Sequence, residues 1–445
     1  MKKRELYKSI LLVLLSLSAA VLLFLTIQME ITRLRASNED GNAKISKREF
    51  GAVPPLYLVI SHEGQRQLLY GDGGLSVYFD RLSPVLEEAA GSAQEPTQTG
   101  ASAFQQALSS PGILLGYGGR MPLAALFSGD STLLGYQADV LFLSAGEQNI
   151  TLWGRDQSAG TYFSANTGLG SQHLFQNEPV GAEPCKLAMD EPLFSFLPPD
   201  APILLEPLTS RRITTYPLLT GGDQNQWTQT ALLAFAADPY TARSYPDSTG
   251  GRVYLSEHGS IRLGSDGTIC FSAGTERGLP LSLLVPLKEP GHEAAELRAA
   301  VAAADALLDP FSDQAEGFSF QYLTVEEKDG AILLSLGYTV HGRPLIRSSG
   351  SRVFAHFTIE QGHLTEAELL PLAGRVEEKQ DLPPFSMEVL AAVMRAAAEG
   401  KKEMFLLLPV YLPDQEHAYL LDWCLLPVLP VRTDGEEGRL WNWLA

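Results

Sequence analysis

The chain opens with an apolar run that follows a basic tip. Residues 10–27 contain no charged side chain, and four Lys and Arg residues lie within the first eight positions. At ~1.5 Å of rise per residue, a helix of this length spans about 27 Å, close to the hydrocarbon core of a bilayer. Basic residues before a membrane helix hold its N-terminus in the cytoplasm. The pattern predicts a cytoplasmic tip and transmembrane anchor over residues 1–35, with the remaining chain outside the cytoplasm.

A cleavable signal peptide is the alternative interpretation of this segment. Such a peptide has an apolar region of about 7–15 residues and a small-residue cleavage site. Here the apolar run is longer, and residues 28–35 (QMEITRLR) contain no such site. The sequence therefore favours an uncleaved, single-pass anchor in the cell membrane.

Two small residues of the predicted anchor are candidate contacts with a partner helix. Ser16 and Ala20 lie four positions apart and so share one helix face. Small residues at this spacing let two membrane helices approach closely. The competing interpretation is that both simply face lipid, where Ser and Ala also occur.

The polar and apolar pattern after the anchor predicts a linker and then a mixed domain. Residues 36–50 are polar and charged, which is typical of a juxtamembrane linker. Apolar runs predict strands over 56–61, 113–117, 140–143 and 149–153, helical spacing predicts a helix over 78–90, and residues 91–103 read as a loop. Five prolines between 189 and 209 predict a domain junction near residue 205, which ends an N-terminal domain of residues 51–205.

The remainder divides into a β-rich middle region, 206–290, and a C-terminal α+β region, 291–445. The middle region has short strand patterns, and Asp266-Gly267 is a hairpin signal between two of them. The C-terminal region opens with a helix predicted from Glu293 to Leu308, which Pro310 should end. Predicted strands follow over 318–326, 331–340, 344–348, 352–359 and 364–370, then a helix over 387–397 and strands over 404–411 and 418–426. The predicted fold class is α+β, with antiparallel sheets and packed helices behind a single membrane helix.

The charge of the chain limits its partners. The formal net charge is −19, and residues 1–35 carry six Lys and Arg against two Asp and Glu, so the remaining chain is near −23. A surface this acidic argues against binding of nucleic acid through a broad basic face.

The sequence contains no motif that predicts catalysis. No G-x-S-x-G, S-x-x-K, H-E-x-x-H or Walker A pattern occurs. Gly116 to Arg120 is glycine-rich, but Pro122 follows, so a turn is favoured over a phosphate-binding loop. The adjacent pairs Glu87-Glu88, Glu326-Glu327 and Glu377-Glu378 point to opposite sides of their elements and form no acid–base dyad. We expect no enzymatic activity.

Potential metal ligands are few and scattered. The three cysteines, Cys185, Cys270 and Cys424, include no CxxC pair and are expected to be buried thiols, with one disulfide left open. His356 and His363 could approach each other across a hairpin, but no third ligand is indicated, and a structural role is favoured. The sequence predicts neither a metal nor another cofactor.

The C-terminal tip is apolar. Trp441, Trp443 and Leu444 lie within the last five residues. We expect this tip to pack on its own domain; the alternative is an exposed anchor for a partner.

The layout resembles the YycH family, with a C-terminal region similar to YycI and PepSY-like domains. The resemblance is carried by the apolar run and Asp-Pro-Tyr-Thr-Ala-Arg of 232–243, by the turn and strand of 248–255, and by 318–322 with 337–345. Ser-Thr-Gly-Gly stands at 248–251 where the family pattern has Tyr-Thr-Asp-Gly.

This resemblance implies a regulator of the WalK (YycG) sensor kinase in the two-component system that controls cell-wall metabolism. It implies two partners, the kinase and a YycI-like sister protein with a single membrane helix. No catalytic residue carries over. The sequence thus predicts a non-enzymatic membrane protein that contacts partners through its ectodomain and its membrane helix. The alternative is an extracytoplasmic cell-wall-binding module or wall-associated enzyme, which a polar cluster in a pocket would favour.

Overall fold

The computed structural model describes residues 53–427. Within that range it omits 71–73, 128–130, 158, 177–178, 206–208, 222–223, 275–276, 286–292, 313–316, 382–385, 401–404 and 416–417. The predicted anchor with Ser16 and Ala20, the linker, and the tip with Trp441, Trp443 and Leu444 lie outside the described residues. In the part that is described, none of the helices is long and apolar enough to cross a membrane.

The first sheet is antiparallel and is built from residues 57–204. Its strands lie in the order β3-β7-β6-β5-β4-β1-β2-β8-β9. They are Tyr57–His62 (β1), Gln65–Leu69 (β2), Thr97–Thr99 (β3), Gly112–Pro122 (β4), Gln137–Ala145 (β5), Asn149–Asp156 (β6), Thr161–Gly170 (β7), Glu183–Leu187 (β8) and Pro202–Leu204 (β9). The predicted strands over 56–61, 113–117, 140–143 and 149–153 are confirmed as β1, β4, β5 and β6.

Both faces of the first sheet are buried. In β5, Leu141 and Leu143 lie in one apolar cluster, while Val140 and Phe142 lie in another. Successive residues of a strand point to opposite faces, so the two clusters lie on the two sides of the sheet. This explains why the sequence shows continuous apolar runs here instead of alternation.

Three helices belong to this part of the chain: Gly74–Gly91 (α1), Ala101–Ala107 (α2) and Leu123–Leu126 (α3). Helix α1 buries Tyr78, Leu82 and Leu86 in the first cluster, which confirms the predicted helix over 78–90. The prediction of a loop over 91–103 is wrong in part, because β3 and the start of α2 lie within it. Only Phe104 and Ala107 of α2 are buried, and so short an element shows no periodicity.

Two further antiparallel sheets contain the rest of the strands. The second sheet runs β11-β12-β13-β14-β20-β19-β17-β16, with β15 on β20 and β18 on β17, and the third runs β21-β10-β23-β22. The strands are Thr209–Pro217 (β10), Arg243–Pro246 (β11), Arg252–Leu255 (β12), Gly259–Leu263 (β13), Ile269–Ala273 (β14), Leu279–Pro280 (β15), Phe318–Lys328 (β16), Ala331–Val340 (β17), Arg343–Pro344 (β18), Ala355–Glu360 (β19), His363–Leu369 (β20), Leu372–Asp381 (β21), Phe405–Gln415 (β22) and Ala418–Pro427 (β23).

Both of these sheets join residues 206–290 to residues 291–445. Strand β14 pairs with β20, and β10 pairs with β21 and β23. The middle region therefore shares its sheets with the last region. The first sheet, in contrast, ends at Leu204, beside the predicted junction at residue 205.

Four further α-helices lie among the described residues: Leu218–Gly221 (α4), Gln224–Ala234 (α5), Glu293–Ser312 (α6) and Met387–Ala398 (α7). Helix α6 buries Ala300, Leu307 and Phe311 in the first cluster, which also contains residues of the second sheet. The expectation that Pro310 ends this helix is wrong by two residues. Its ring removes one hydrogen bond of the last turn, and the buried Phe311 side chain holds that turn in place.

The predicted strand over 352–359 is confirmed as β19, which begins three residues later, at Ala355. The predicted strand over 344–348 is wrong except for Pro344, because the chain leaves the second sheet after β18 and returns at β19. Between them, the Ile346 amide donates to the Tyr411 carbonyl at 3.0 Å, which ties this segment to the third sheet. A turn at Gly350, with φ of +88°, reverses the chain. The other predicted strands of this region and the helix over 387–397 are confirmed.

Candidate interaction surfaces

The glycine-rich run 116–120 is an irregular part of β4. Its pairing with β5 shifts register between Gly116 and Met121, and Gly118 has φ of +71°. A Cβ on Gly119 would lie 2.0 Å from the carbonyl oxygen of Leu323 in β16. Glycine is needed here because two backbones approach each other, so the run joins the first sheet to the second and has a structural role.

The candidate metal ligands are not brought together. His356 faces Glu368 across β19 and β20, whereas His363 pairs with Glu360 at the hairpin end. His356 Nδ1 lies 3.2 Å from Ser335 Oγ, and His363 Nδ1 donates to the Gln361 carbonyl at 2.9 Å. Among the described residues, no group of three His, Cys, Asp or Glu side chains could hold a metal ion.

The three cysteines form no disulfide. Cys185 is buried, and its burial raises the pKa of the thiol to about 12, partly opposed by Arg66. Burial also raises the pKa of Cys270, helped by the nearby Glu368 carboxylate. Neither shift favours the reactive thiolate form.

The most buried ionic group belongs to the first sheet. Arg155 of β6 is 1% exposed and contacts two carboxylates, Asp139 of β5 and Asp200 of the segment before β9. Its Nη2 lies 2.6 Å from Asp139 Oδ2, and the Gln157 amide donates to Asp139 Oδ1 at 2.9 Å. Burial raises the pKa of Asp200, while the Arg155 guanidinium opposes this shift. The cluster connects β5 and β6 to the segment before β9 inside the protein, and its role is structural.

A cleft at the junction of β16 and β17 with Leu56 has a cavity volume of about 10 Å³, room for about one water molecule. Ligand pockets have typical volumes of ~300–1,000 Å³. The cleft walls include Tyr338, Leu345 and the buried Arg352, whose burial lowers its pKa to about 10. One cation in a small apolar cleft supplies neither a nucleophile nor an acid–base pair.

A second polar contact joins the first sheet to the β17–β18 hairpin. The Arg343 guanidinium lies 4.3 Å from the centre of the Tyr70 ring and 3.5 Å from Glu183 Oε1. Tyr70 donates to Glu183 Oε2 at 2.7 Å. Burial raises the pKa of Tyr70 far above its usual value; the Arg343 guanidinium opposes this shift, and the Glu183 carboxylate adds to it. These three residues form a direct contact between the first sheet and the second.

The open edge of the second sheet presents apolar side chains to solvent. Among the described residues, β11 pairs only with β12. On one face of this pair, Ile261 and Phe271 of the neighbouring strands are buried in the core. The opposite face carries the edge patch, defined as Arg243, Tyr245, Val253, Leu255 and Arg262, which share that face by register.

The edge patch combines exposed hydrophobic residues with two cations. Tyr245 and Leu255 are each 47% exposed. Arg262 contacts Asp247 at 2.8 Å and also donates to Thr249 Oγ1 at 2.7 Å. Exposed apolar groups rimmed by charges are typical of protein contact sites. The sequence carries no signal for this patch, because an exposed tyrosine in a strand cannot be told from a buried one before strand pairing is known.

Known proteins give a likeness of fold but none of sequence. No protein-family model and no curated protein matches the chain. The crystal structure of YycH from Bacillus subtilis matches with a TM-score of 0.50 and 12% identity, over 85% of this chain and 96% of that one. An uncharacterized protein from Eubacterium rectale matches with a TM-score of 0.30 and 12% identity, over 49% of this chain and 76% of that one. The chain thus has a YycH-like fold, while the similarity of residues 291–445 to YycI and PepSY-like domains stays a prediction.

Proposed function

We propose that the protein regulates a membrane-bound sensor histidine kinase of the WalK (YycG) type by direct contact, without catalysing a reaction. The observation that carries this proposal is the likeness of fold to YycH over 85% of this chain. Proteins of that family regulate this kinase in the two-component system of cell-wall metabolism. The shared overall plan supports a regulatory role for the present chain.

The predicted anchor supports the same function. A single membrane helix over residues 10–27 would hold the acidic ectodomain on the outer side of the cell membrane, beside the extracytoplasmic part of a sensor kinase. Ser16 and Ala20 would let this helix pack closely on a helix of the kinase or of a YycI-like sister protein. The negative charge of the ectodomain argues against nucleic acid as a partner.

The regulatory effect requires that the protein contact the active and inactive kinase with different affinity. A partner shifts a two-state equilibrium only by its differential binding energy. Couplings of about 1–3 kcal/mol, or 5- to 150-fold in the equilibrium, are common for such regulators. The edge patch on β11, β12 and β13 has the chemistry for this contact, because it combines exposed Tyr245 and Leu255 with arginines.

Photo-crosslinking in the membrane tests this proposal. A benzoylphenylalanine placed at Tyr245 of the full-length protein should capture a sensor kinase or a sister single-pass protein, identified by mass spectrometry. The matched control is the same group at Tyr216, a similarly exposed tyrosine on β10 of the third sheet. We expect more kinase or sister protein from Tyr245 than from Tyr216.

Two results would contradict the proposal at different levels. Capture of the kinase equally from both positions would retain the regulator and remove the edge patch as its contact. Capture of wall polymer or wall-synthesis enzymes alone, from either position, would replace the regulator with the cell-wall-binding alternative.

A further inference from the structure

Helix α7 is apolar on two opposite sides. Its inner side packs on the second apolar cluster through Leu390 and Ala391, with Ala397 also buried. Its outer side carries the α7 stripe, defined as Val389, Ala392, Val393 and Ala396, all exposed. These positions follow the i, i+3, i+4, i+7 spacing of a single helix face.

The exposure of this stripe is unusual for a helix of such composition. Val389 is 57% exposed and Val393 is 47% exposed, although Glu388 and Arg395 are the only charged residues of α7. Arg395 does not screen the stripe, since it donates to the Leu193 carbonyl at 2.7 Å beside the ring of Phe196. A helix that is apolar all round is normally covered on all sides. Within the described residues nothing covers the outer side.

The chain itself continues from a point close to this helix. The last described residue, Pro427, pairs with Phe405, the first residue of β22. Phe405 follows the end of α7 by seven residues, which limits their separation to about 25 Å. Thirteen further residues lead from Pro427 to Leu440 and can extend by about 45 Å. Helix α7 is only about 18 Å long, so the segment after Pro427 can reach the whole stripe.

The chemistry of residues 428–445 matches that of the stripe and its surroundings. The segment ends in four large apolar residues within five positions, Leu440, Trp441, Trp443 and Leu444. Before them lie three carboxylates in the sequence Asp-Gly-Glu-Glu, at 434–437, with Arg432 and Arg439 on either side. Lys401 and Lys402 stand three and four positions after the last residue of α7 in the sequence and are opposite in charge to these carboxylates.

We infer that residues 428–445 return over α7 and pack Trp441 and Trp443 against the α7 stripe. The tether favours this occupant over a second copy of the chain. A segment linked by a short chain acts at an effective concentration in the millimolar range, well above that of a separate protein. A partner that binds the stripe would first have to displace residues 428–445. The segment would therefore compete with that partner for the stripe.

Disulfide trapping in the full-length protein tests the inference. Ala392→Cys and Asn442→Cys, in a Cys270→Ser background, place one thiol on the stripe and one between the two tryptophans. The matched control pairs Asn442→Cys with Glu257→Cys, an exposed turn position on the second sheet. After mild oxidation of a mixture of ¹⁴N- and ¹⁵N-labelled protein, mass spectrometry separates bonds within one chain from bonds between chains.

We expect the 392–442 disulfide to form within single chains, about tenfold faster than the 257–442 control. Adding Trp441→Ser and Trp443→Ser should reduce this rate about tenfold, as when the aromatic anchors of a contact are removed. Equal rates for the two pairs would overturn the inference, because the segment would then have no preference for α7. Mixed ¹⁴N–¹⁵N bonds as the main product would also overturn it and assign the stripe to a second copy.

Discussion

The first and second sheets differ in how many of their faces are buried. In the first, neighbouring residues such as Leu141 and Phe142 lie in two separate clusters, one on each side. In the second, Ile261 is buried while the adjacent Arg262, on the opposite face, is exposed. The comparison shows that β5 of the first sheet is enclosed on both sides, whereas the β11–β13 end of the second sheet has one face open to solvent.

The charged groups follow the same division. Arg155 of the first sheet is buried with Asp139 and Asp200, whereas Arg262 of the second sheet binds Asp247 in contact with solvent. Charges removed from water require complete pairing, while solvent screens exposed pairs. Substitution of the buried charges in the first sheet should therefore lower stability, whereas substitution of the exposed groups in the second sheet should change stability little and affect function.

The largest effect is expected for Arg155→Ala in the first sheet. Removing the guanidinium leaves two carboxylates buried without a counter-charge, which lowers the free energy of unfolding by about 3–5 kcal/mol. Arg262→Ala in the second sheet is the matched control and should change little. Chemical denaturation of the full-length protein measures both, and equal losses would remove the distinction between the sheets.

The pH dependence of the same cluster sharpens this prediction. Burial raises the pKa of Asp200 in the folded protein. The contribution of this carboxyl group to stability is therefore greatest at a pH below the ordinary aspartate pKa, and it is lost as the pH rises through the pKa of the folded state. Asp200→Asn removes this titration. The unfolding free energy of the variant minus that of the wild type should thus rise with pH above about 4. A difference that stays constant across this range would contradict the buried position of the carboxyl.

An intermediate effect is expected where the two sheets meet. Gly119→Ala places a Cβ 2.0 Å from the Leu323 carbonyl oxygen, and backbone displacement of this kind costs about 1–3 kcal/mol. Gly91→Ala is the control, since its Cβ would meet no atom within 4 Å. Thermal unfolding should show a lower Tm for Gly119→Ala and an unchanged Tm for Gly91→Ala. An unchanged Tm for Gly119→Ala would mean that the two backbones can move apart without loss of stability.

A smaller effect is expected at the Arg343 contact. Arg343→Lys keeps the charge but loses the planar group over Tyr70, which should cost about 1 kcal/mol of unfolding free energy. The same change combined with Tyr70→Leu, which removes the aromatic ring, forms a double-mutant cycle that isolates the pair. A coupling energy near zero would show that the contact does not link the sheets.

The smallest effect on stability is expected at the edge patch. Tyr245→Ser with Leu255→Ser exchanges exposed side chains and should change the unfolding free energy by less than about 0.5 kcal/mol. The same double variant should nonetheless weaken copurification of the kinase, because it removes the apolar part of the contact. Normal copurification would place the regulatory contact elsewhere.

The local elements were largely predictable, whereas the sheets were not. Amphipathic spacing identified α1 and α7, and apolar runs identified β4 and β5, because these signals lie within a few turns of chain. Pairings such as β14 with β20 join residues about a hundred positions apart, and no local pattern encodes them. The sequence also failed at 91–103 and 345–354, where short elements are held by tertiary contacts instead of their own periodicity.

The candidate surface was less predictable than the fold. The two residues chosen from sequence, Ser16 and Ala20, lie outside the described residues and stay predictions. Tyr245 and Leu255 were missed because their exposure depends on which side of β11 remains open. His356 and His363, which the sequence allows to approach across a hairpin, occupy different rows of the sheet.

The rate of kinase autophosphorylation in reconstituted membranes is the most direct test of the central claim. The WalK-type kinase would be assayed alone, with the full-length protein, and with the Tyr245→Ser, Leu255→Ser variant. A regulator that acts by contact should change the rate at least about fivefold, and the variant should return it toward that of the kinase alone. An identical rate with and without the protein, at equal density in the membrane, would contradict the account.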